Sequence, residues 1–273
     1  MAGAIFNTVP PLAAGAGINF DGERISTAAA PRNLLDNSDF RNPVMQAGFF
    51  GNHGAYKYPV DRWFDEYGFG AFTQTAQGIT VGYGTNDGYL TQKLPDGVLQ
   101  EGKTYTLSFM DFSGNIRMNS GKYTANAESI KVPVTSSIEC RLKPGAVNFV
   151  ATEGSVGITW VALYEGEYTA ETLPEYQPKG YGAELAECQR YYRKVEIGGV
   201  CKADYIGLKV PLAPYMRAKP ATALIDVVHT SVGDASINTG GIDALADHIR
   251  MDAILNRSDA AWWSCAATCI ADL

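Results

Sequence analysis

The sequence predicts a mainly β protein: an antiparallel β-sandwich over residues 33–180, one short linking helix at 181–196, and a smaller C-terminal β domain over 197–273. An arm at 1–32 precedes them. Three observations predict this. Large apolar residues recur at every second position in run after run, which is the spacing of half-buried strands. Clusters of Gly, Asn, Asp and Pro break the chain between those runs, as hairpin connections require. Only one segment carries apolar residues at convincing helical spacing.

In chain order, Pro10-Pro11-Leu12-Ala13-Ala14-Gly15-Ala16-Gly17 is small and Pro/Gly-rich and has little with which to build a core of its own. Ile18-Asn19-Phe20 and Arg24-Ile25-Ser26 then flank the turn Asp21-Gly22-Glu23, a hairpin too small to stand without a partner surface. In Thr104-Tyr105-Thr106-Leu107-Ser108-Phe109 the large residues fall on one face. Similar strands are predicted at Ile79–Val81, Tyr89–Leu94, Ile130–Val134 and Val156–Tyr164, separated by turns such as Asn86-Asp87-Gly88, Pro95-Asp96-Gly97 and Ser113-Gly114-Asn115.

The helix is expected from Ala183 to about Val195. Leu185, Cys188 and Tyr192 fall at i, i+3 and i+7, with Glu184 and Glu187 early and Arg190, Arg193 and Lys194 late, and Gly198-Gly199 ends it. Further strands are expected at Tyr205–Leu212, Thr222–His229, His248–Leu255 and Trp262–Leu273. The last places Trp263, Cys265, Ala267, Cys269, Ala271 and Leu273 on one face.

The chain has 273 residues and a formal net charge of -7, with no basic stripe to neutralise a phosphate backbone, so nucleic acid is not an expected partner. No run approaches the ~20 apolar residues of a membrane helix, and Met1–Phe6 lacks the charged start of a secretory signal, so cytosolic synthesis without membrane insertion is expected. Five cysteines (Cys140, Cys188, Cys201, Cys265, Cys269) are read as buried thiols. Cys265 and Cys269 on one strand stand ~13 Å apart, beyond the ~7 Å reach of a disulfide.

Aromatic residues crowd one stretch: Phe49, Phe50, Tyr56, Tyr58, Trp63, Phe64, Tyr67, Phe69 and Phe72. Exposed rings stack on the apolar faces of sugars, which makes carbohydrate the natural ligand class, although most such rings are expected in the core, Trp63 above all. Tyr67 and Phe69, beside Gly68 and Gly70 in a loop, are the carbohydrate-binding candidates. Asp61, Asp65 and Glu66 have the residue types of a glycosidase pair, but an Asp61–Arg62 ion pair and a solvent-facing Asp65–Glu66 are expected instead. No catalytic residue is assigned, and an enzyme is not expected.

His53, His229 and His248 show no zinc-site spacing, and no metal or cofactor is expected. Asn33, Asp36, Asn37 and Asp39 suit either a structural calcium or Asx-turns at the start of a strand. No Gly-x-Ser-x-Gly elbow or adjacent Cys–His pair is present.

Two stretches bracket the sandwich. Asn33-Leu34-Leu35-Asp36-Asn37-Ser38-Asp39-Phe40 with Asp61-Arg62-Trp63 opens it, and Tyr181-Gly182-Ala183-Glu184-Leu185-Ala186-Glu187-Cys188-Gln189-Arg190-Tyr191-Tyr192 closes it. Together they resemble a module of phage and prophage fibre or appendage proteins, in which "N-L-L-x-N-x-D-F … D-R-W" is closed by "G-x-E-L-x-x-C-Q-R-Y-Y". The segment Val210–Pro220, "V-P-L-x-P-x-M-R-A-x-P", is similar to the stretch after that helix in the same proteins. The pattern at Gly15–Ser26 resembles fibre elements that become stable by pairing with neighbouring chains.

The resemblance implies a non-enzymatic structural protein of the virion, a short head or tail fibre with a sandwich of jelly-roll or carbohydrate-binding-module type. It implies a homotrimer, attachment to a capsid or tail protein through the arm at 1–32, and a weak contact with host-surface glycans. Leu185, Cys188, Tyr191 and Tyr192 on the helix are where three chains are expected to meet. The alternatives are a monomeric carbohydrate-binding or glycan-degrading protein, and a capsid decoration without a ligand.

Overall fold

Strand alternation builds two antiparallel sheets that close on one apolar core. The computed structural model describes residues 18–20, 25–27, 31–53, 56–201, 205–218, 220–230, 237–255 and 261–271. Within the arm, β1 (Ile18–Phe20) and β2 (Ile25–Thr27) pair antiparallel as the hairpin expected there, while residues 1–17 lie outside the described residues.

The sandwich-like body comprises β3 (Gly51–His53), β4 (Tyr56–Val60), β5 (Trp63–Asp65), β6 (Ala71–Thr75), β7 (Gly78–Gly82), β8 (Gly88–Lys93), β9 (Thr104–Asp111), β10 (Ile116–Lys122), β11 (Ile130–Pro133), β12 (Ile138–Lys143), β13 (Ala146–Ala151) and β14 (Ser155–Glu165). One sheet runs β10-β9-β14-β7-β6 and the other β11-β12-β13-β8-β5-β4-β3. The predicted inward face of β9 is realised, since Tyr105, Leu107 and Phe109 are all fully buried. They meet residues of the opposite sheet, and Phe109 stands edge-on to Phe149 with ring centroids 5.3 Å apart. Register aligns Phe149 between Leu90 and Cys140, so three strands contribute to one layer of the core.

Trp63 anchors this core. It is fully buried, packs edge-on to Phe40 at 5.3 Å, and its indole N–H donates to the carbonyls of Asp36 and Asn37, each at 3.1 Å. The ring reaches that position because the β4–β5 connection is a two-residue turn, with Val60 opposite Trp63 and Arg62 at φ 71°. A bulky side chain in the left-handed region is strained and persists only where its surroundings hold it.

After β14 the chain crosses the outer face of the five-stranded sheet. Trp160, Ala162 and Tyr164 lie buried there beneath Tyr168, Leu173 and Tyr176, with Tyr176 stacked on Trp160 at 4.6 Å. The helix α1 (Tyr181–Cys188) comes next, shorter than the sequence predicts. Tyr192 already belongs to β15 (Tyr192–Cys201), and Gly198-Gly199, expected to stop the helix, pair within that strand against Ser264 and Trp263. The reason is tertiary. Ten consecutive residues of β15 find partners on a neighbouring strand, and such pairing outweighs local helix propensity, which is worth only tenths of a kcal/mol per residue. Arg193 and Lys194 therefore lie on a strand and not at a helix end.

The C-terminal part adds β16 (Tyr205–Pro211), β17 (Ala221–Thr230), β18 (Ile237–Ala244), β19 (His248–Leu255) and β20 (Ala261–Ile270). They form two three-stranded antiparallel sheets, β15-β20-β17 and β16-β19-β18. Leu212, Met216, Ile249, Cys269 and Ala271 make a small core between them. Four of these strands match the sequence expectation, whereas β18 has no counterpart in it, because Asn238-Thr239-Gly240-Gly241 carries no apolar alternation. Cys140, Cys188 and Cys269 are buried free thiols; the side chains of Cys201 and Cys265 lie outside the described residues. Among the described residues no helix is long and apolar enough to cross a membrane.

Replacing Trp63 with Ala is expected to destabilise the fold by about 3–5 kcal/mol, the range for a large buried aromatic. Urea unfolding followed by circular dichroism measures it. Trp63→Phe is expected to recover part of the loss while leaving the Asp36 and Asn37 carbonyls without the indole donor.

Candidate functional site

The two stretches that bracket the sandwich in sequence converge in space. Asn37 adopts the left-handed conformation (φ 48°), which Asn tolerates better than most residues. Its side chain accepts from the Val44 N–H at 2.8 Å and donates to the carbonyls of Val44 (3.0 Å) and Asp61 (2.7 Å). Its own backbone N–H donates to Glu184 Oε2 at 2.7 Å, joining the start of the sandwich to α1. Lys179 Nζ reaches Asp36 Oδ1 at 3.1 Å and lies 3.9 Å from Glu184 Oε2.

Arg62 completes the joint. In place of the expected pair with Asp61, it turns to Asp36 at 3.4 Å, donates to the Lys93 carbonyl at 2.9 Å, and lays its guanidinium 3.5 Å from the Tyr191 ring centroid. Gln92 locks Asp36 from the other side, accepting its N–H at 2.9 Å and donating to its carbonyl at 2.7 Å. The charges are buried, and such groups are tolerable in a low-dielectric interior only when paired and hydrogen-bonded.

Asp61 is also buried. It accepts two hydrogen bonds from Gln46, whose amide also donates to the Tyr192 carbonyl at 2.9 Å. Burial pushes the Asp61 carboxyl up to about 6, with the Gln46 donors opposing. Burial likewise raises Glu184, against the Asn37 N–H and Lys179, and holds the Cys188 thiol well above its ordinary value.

This arrangement places the four predicted assembly residues. Cys188 and Tyr192 are buried within their own chain, so their side chains do not present a surface to a neighbour; Leu185 and Tyr191 are half-buried, and Tyr191 faces Arg62. The inward face of α1 is Glu184 and Cys188, a charge and a thiol. Apolar periodicity points to Leu185 because it does not register a buried carboxylate that caps a backbone N–H elsewhere in the fold.

The aromatic end of the sandwich is separate. Tyr67 and Phe69 are 57% and 46% exposed, on the loop that takes the chain from β5 in one sheet to β6 in the other. The loop carrying Tyr83, 45% exposed, makes the return crossing from β7 to β8. Thr85 N–H donates to the Phe69 carbonyl at 3.1 Å, tying the loops together. Gly84 permits this approach: a Cβ there would lie 2.1 Å from the Phe69 oxygen. Tyr67 stands edge-on to Tyr89 at 4.8 Å.

Asp65, expected in solvent, is buried under this loop. Its Oδ2 accepts the Gly70 N–H at 3.2 Å while Oδ1 has no partner, and burial raises its pKa against the loop amides of Gly70, Gly68, Tyr67 and Phe69 that face it. Glu66 is half-buried, held by Thr91 Oγ1 at 2.9 Å and by Lys143 Nζ at 2.7 Å. Asp61, Asp65 and Glu66 thus serve different local structures. Sequence reasoning misses Tyr83 and Lys143: Tyr83 lies beside a readable turn, but nothing near Lys143 signals a partner 77 residues away.

The side chains weighed for calcium are engaged by protein groups. Asn33 Oδ1 accepts from Leu35 N–H (3.1 Å), an Asx-turn, and from Leu163 N–H (2.9 Å), while Asp39 pairs with Arg41 at 2.7 Å. Among the described residues no three His, Cys, Asp or Glu side chains gather to hold a metal ion. Comparison with family models, curated proteins and solved structures finds no match to this chain.

The raised Asp61 carboxyl gives a pH signature. Its folded value of about 6 lies above the ordinary 3.8, so the folded state binds the proton more tightly than the unfolded chain. The stability from this group is complete below the ordinary value and is lost as pH rises through about 6, at most about 3 kcal/mol. Asp61→Asn is expected to flatten that slope in denaturation curves taken between these limits, at a lower overall stability because the Gln46 amide, held also by the Tyr192 carbonyl, cannot turn to suit the new side chain.

Proposed function

We propose that this chain is a non-enzymatic appendage protein of a bacteriophage particle, a short head or tail fibre, whose jelly-roll-like sandwich displays a weak carbohydrate-binding surface at Tyr67 and Phe69. The observation that carries the binding reading is the exposure of these two rings on a loop pinned by Asp65 and by the Tyr83–Asp87 loop. Rings fixed in advance lose little freedom when a sugar stacks on them. The appendage reading rests on the two sequence signatures, and their convergence in one joint supports treating them as a single module.

In this reading the protein is a homotrimer located in the virion. The arm at 1–32 attaches it to a capsid or tail protein, and a weak glycan contact gains strength through the number of copies presented to a host surface. With Cys188 and Tyr192 buried in their own chain, contacts between chains fall to the arm and to surfaces outside the α1 joint.

Labelled protein is expected to bind intact host cells and not the same cells stripped of surface polysaccharide. Tyr67→Ala with Phe69→Ala is expected to weaken that binding about tenfold or more without changing the circular dichroism spectrum. Unchanged binding by the double variant would remove these residues from the site, and absence of binding to any cell would leave a purely structural decoration.

Light scattering is expected to give a trimer mass that falls to a monomer when residues 1–32 are removed. A monomer at every concentration favours the detached binding module.

A further inference from the structure

The outer face of the seven-stranded sheet carries a charged cleft that adjoins the aromatic loop. It is a cavity of about 350 Å³, whose wall includes Glu66, Thr91, Lys93, Asp96, Lys143 and Arg217. Strand alternation explains the composition: in β8 Leu90 enters the core, while Thr91 and Lys93 turn outward beside Lys143 at the end of β12. Arg217 comes from the C-terminal part and is positioned by its backbone N–H, which donates to the Arg190 carbonyl at 2.9 Å.

Two features point to a ligand class. Three cations face two carboxylates here, a local positive excess in a chain whose net charge is -7. The cleft also lies on the same sheet face as the stacking surface, because Thr91 in its wall is two residues along β8 from Tyr89, whose ring meets Tyr67 edge-on at 4.8 Å.

We infer that the glycan taken by this surface is acidic: a sugar ring stacks on Tyr67, and the anionic substituent of the same or a neighbouring sugar enters the cleft against Lys143 and Arg217. The inference rests on the glycan-binding reading above and adds its ligand class. A guanidinium fork can hold a carboxylate or phosphate oxygen pair bidentately, and Glu66 holds the Lys143 ammonium in the cleft wall at 2.7 Å. Because the recognition is electrostatic and partly exposed, it weakens as salt rises.

The test titrates the full chain calorimetrically with three polymers: polygalacturonate, its carboxyl-reduced neutral form, and a poly(glycerol phosphate). At least one acidic polymer is expected to bind about tenfold more tightly than the neutral one, with affinity falling as salt is added. The response to polygalacturonate against poly(glycerol phosphate) tells carboxylate from phosphodiester. Lys143→Gln with Arg217→Gln is expected to abolish the preference for charge while leaving neutral binding in place, and Tyr67→Ala is expected to weaken both. Equal affinity for charged and neutral polymers overturns the inference and leaves the glycan-binding reading standing. A charge preference that survives the double Gln variant places the anion elsewhere and also overturns it. Absence of binding to all three overturns both.

Discussion

A buried polar joint organises this protein. Residues 36 and 37, the 61–63 turn, Lys179 and α1 meet at a place where Asp36, Asn37, Asp61, Arg62 and Glu184 are buried, and each must find a partner or impose a desolvation penalty. One short turn serves both sides of the joint. Arg62, held in a left-handed conformation, reaches Asp36 and Tyr191, and Trp63, one residue on, enters the apolar core while donating to the carbonyls of residues 36 and 37. The core and the joint are therefore mechanically linked through two adjacent side chains.

The same joint sets where the C-terminal part begins. Tyr191 accepts the Ala271 N–H at its carbonyl (2.7 Å), and Gln46 donates to the Tyr192 carbonyl, so the last strand and the sandwich grip the chain at neighbouring residues. That explains why the helix is brief. Once residues 191 and 192 are committed to these partners, continued helix would forfeit the β15–β20 ladder and the burial of Tyr192. It also brings Arg217 to the outer face of the seven-stranded sheet, where it lines a cleft with residues from β8 and β12.

Legibility in sequence tracks the range of the interaction. The inward faces of β9 and β14, the core position of Trp63 and the exposure of Tyr67 and Phe69 are readable, because period-two alternation and glycine-flanked loops are local properties. The end of α1 is not, since Leu185, Cys188 and Tyr192 fit helical spacing as well as they fit a helix followed by a strand. The edge strand β18 also escapes, as Asn238-Thr239-Gly240-Gly241 interrupts the apolar alternation by which a strand is read.

By itself the sequence determined a β-rich chain with antiparallel pairing, a helix start near Tyr181, an aromatic loop after Asp65, and a net charge of -7. Only the tertiary structure decided that Asp65 is buried beneath that loop, that Arg62 pairs with Asp36 and not with its neighbour Asp61, and that Glu66, Lys143 and Arg217 share one cleft. The physical reason is that strand periodicity acts over a few residues. Charge pairing is instead decided by which side chains the sheets bring within about 4 Å, and those partners come from remote parts of the chain.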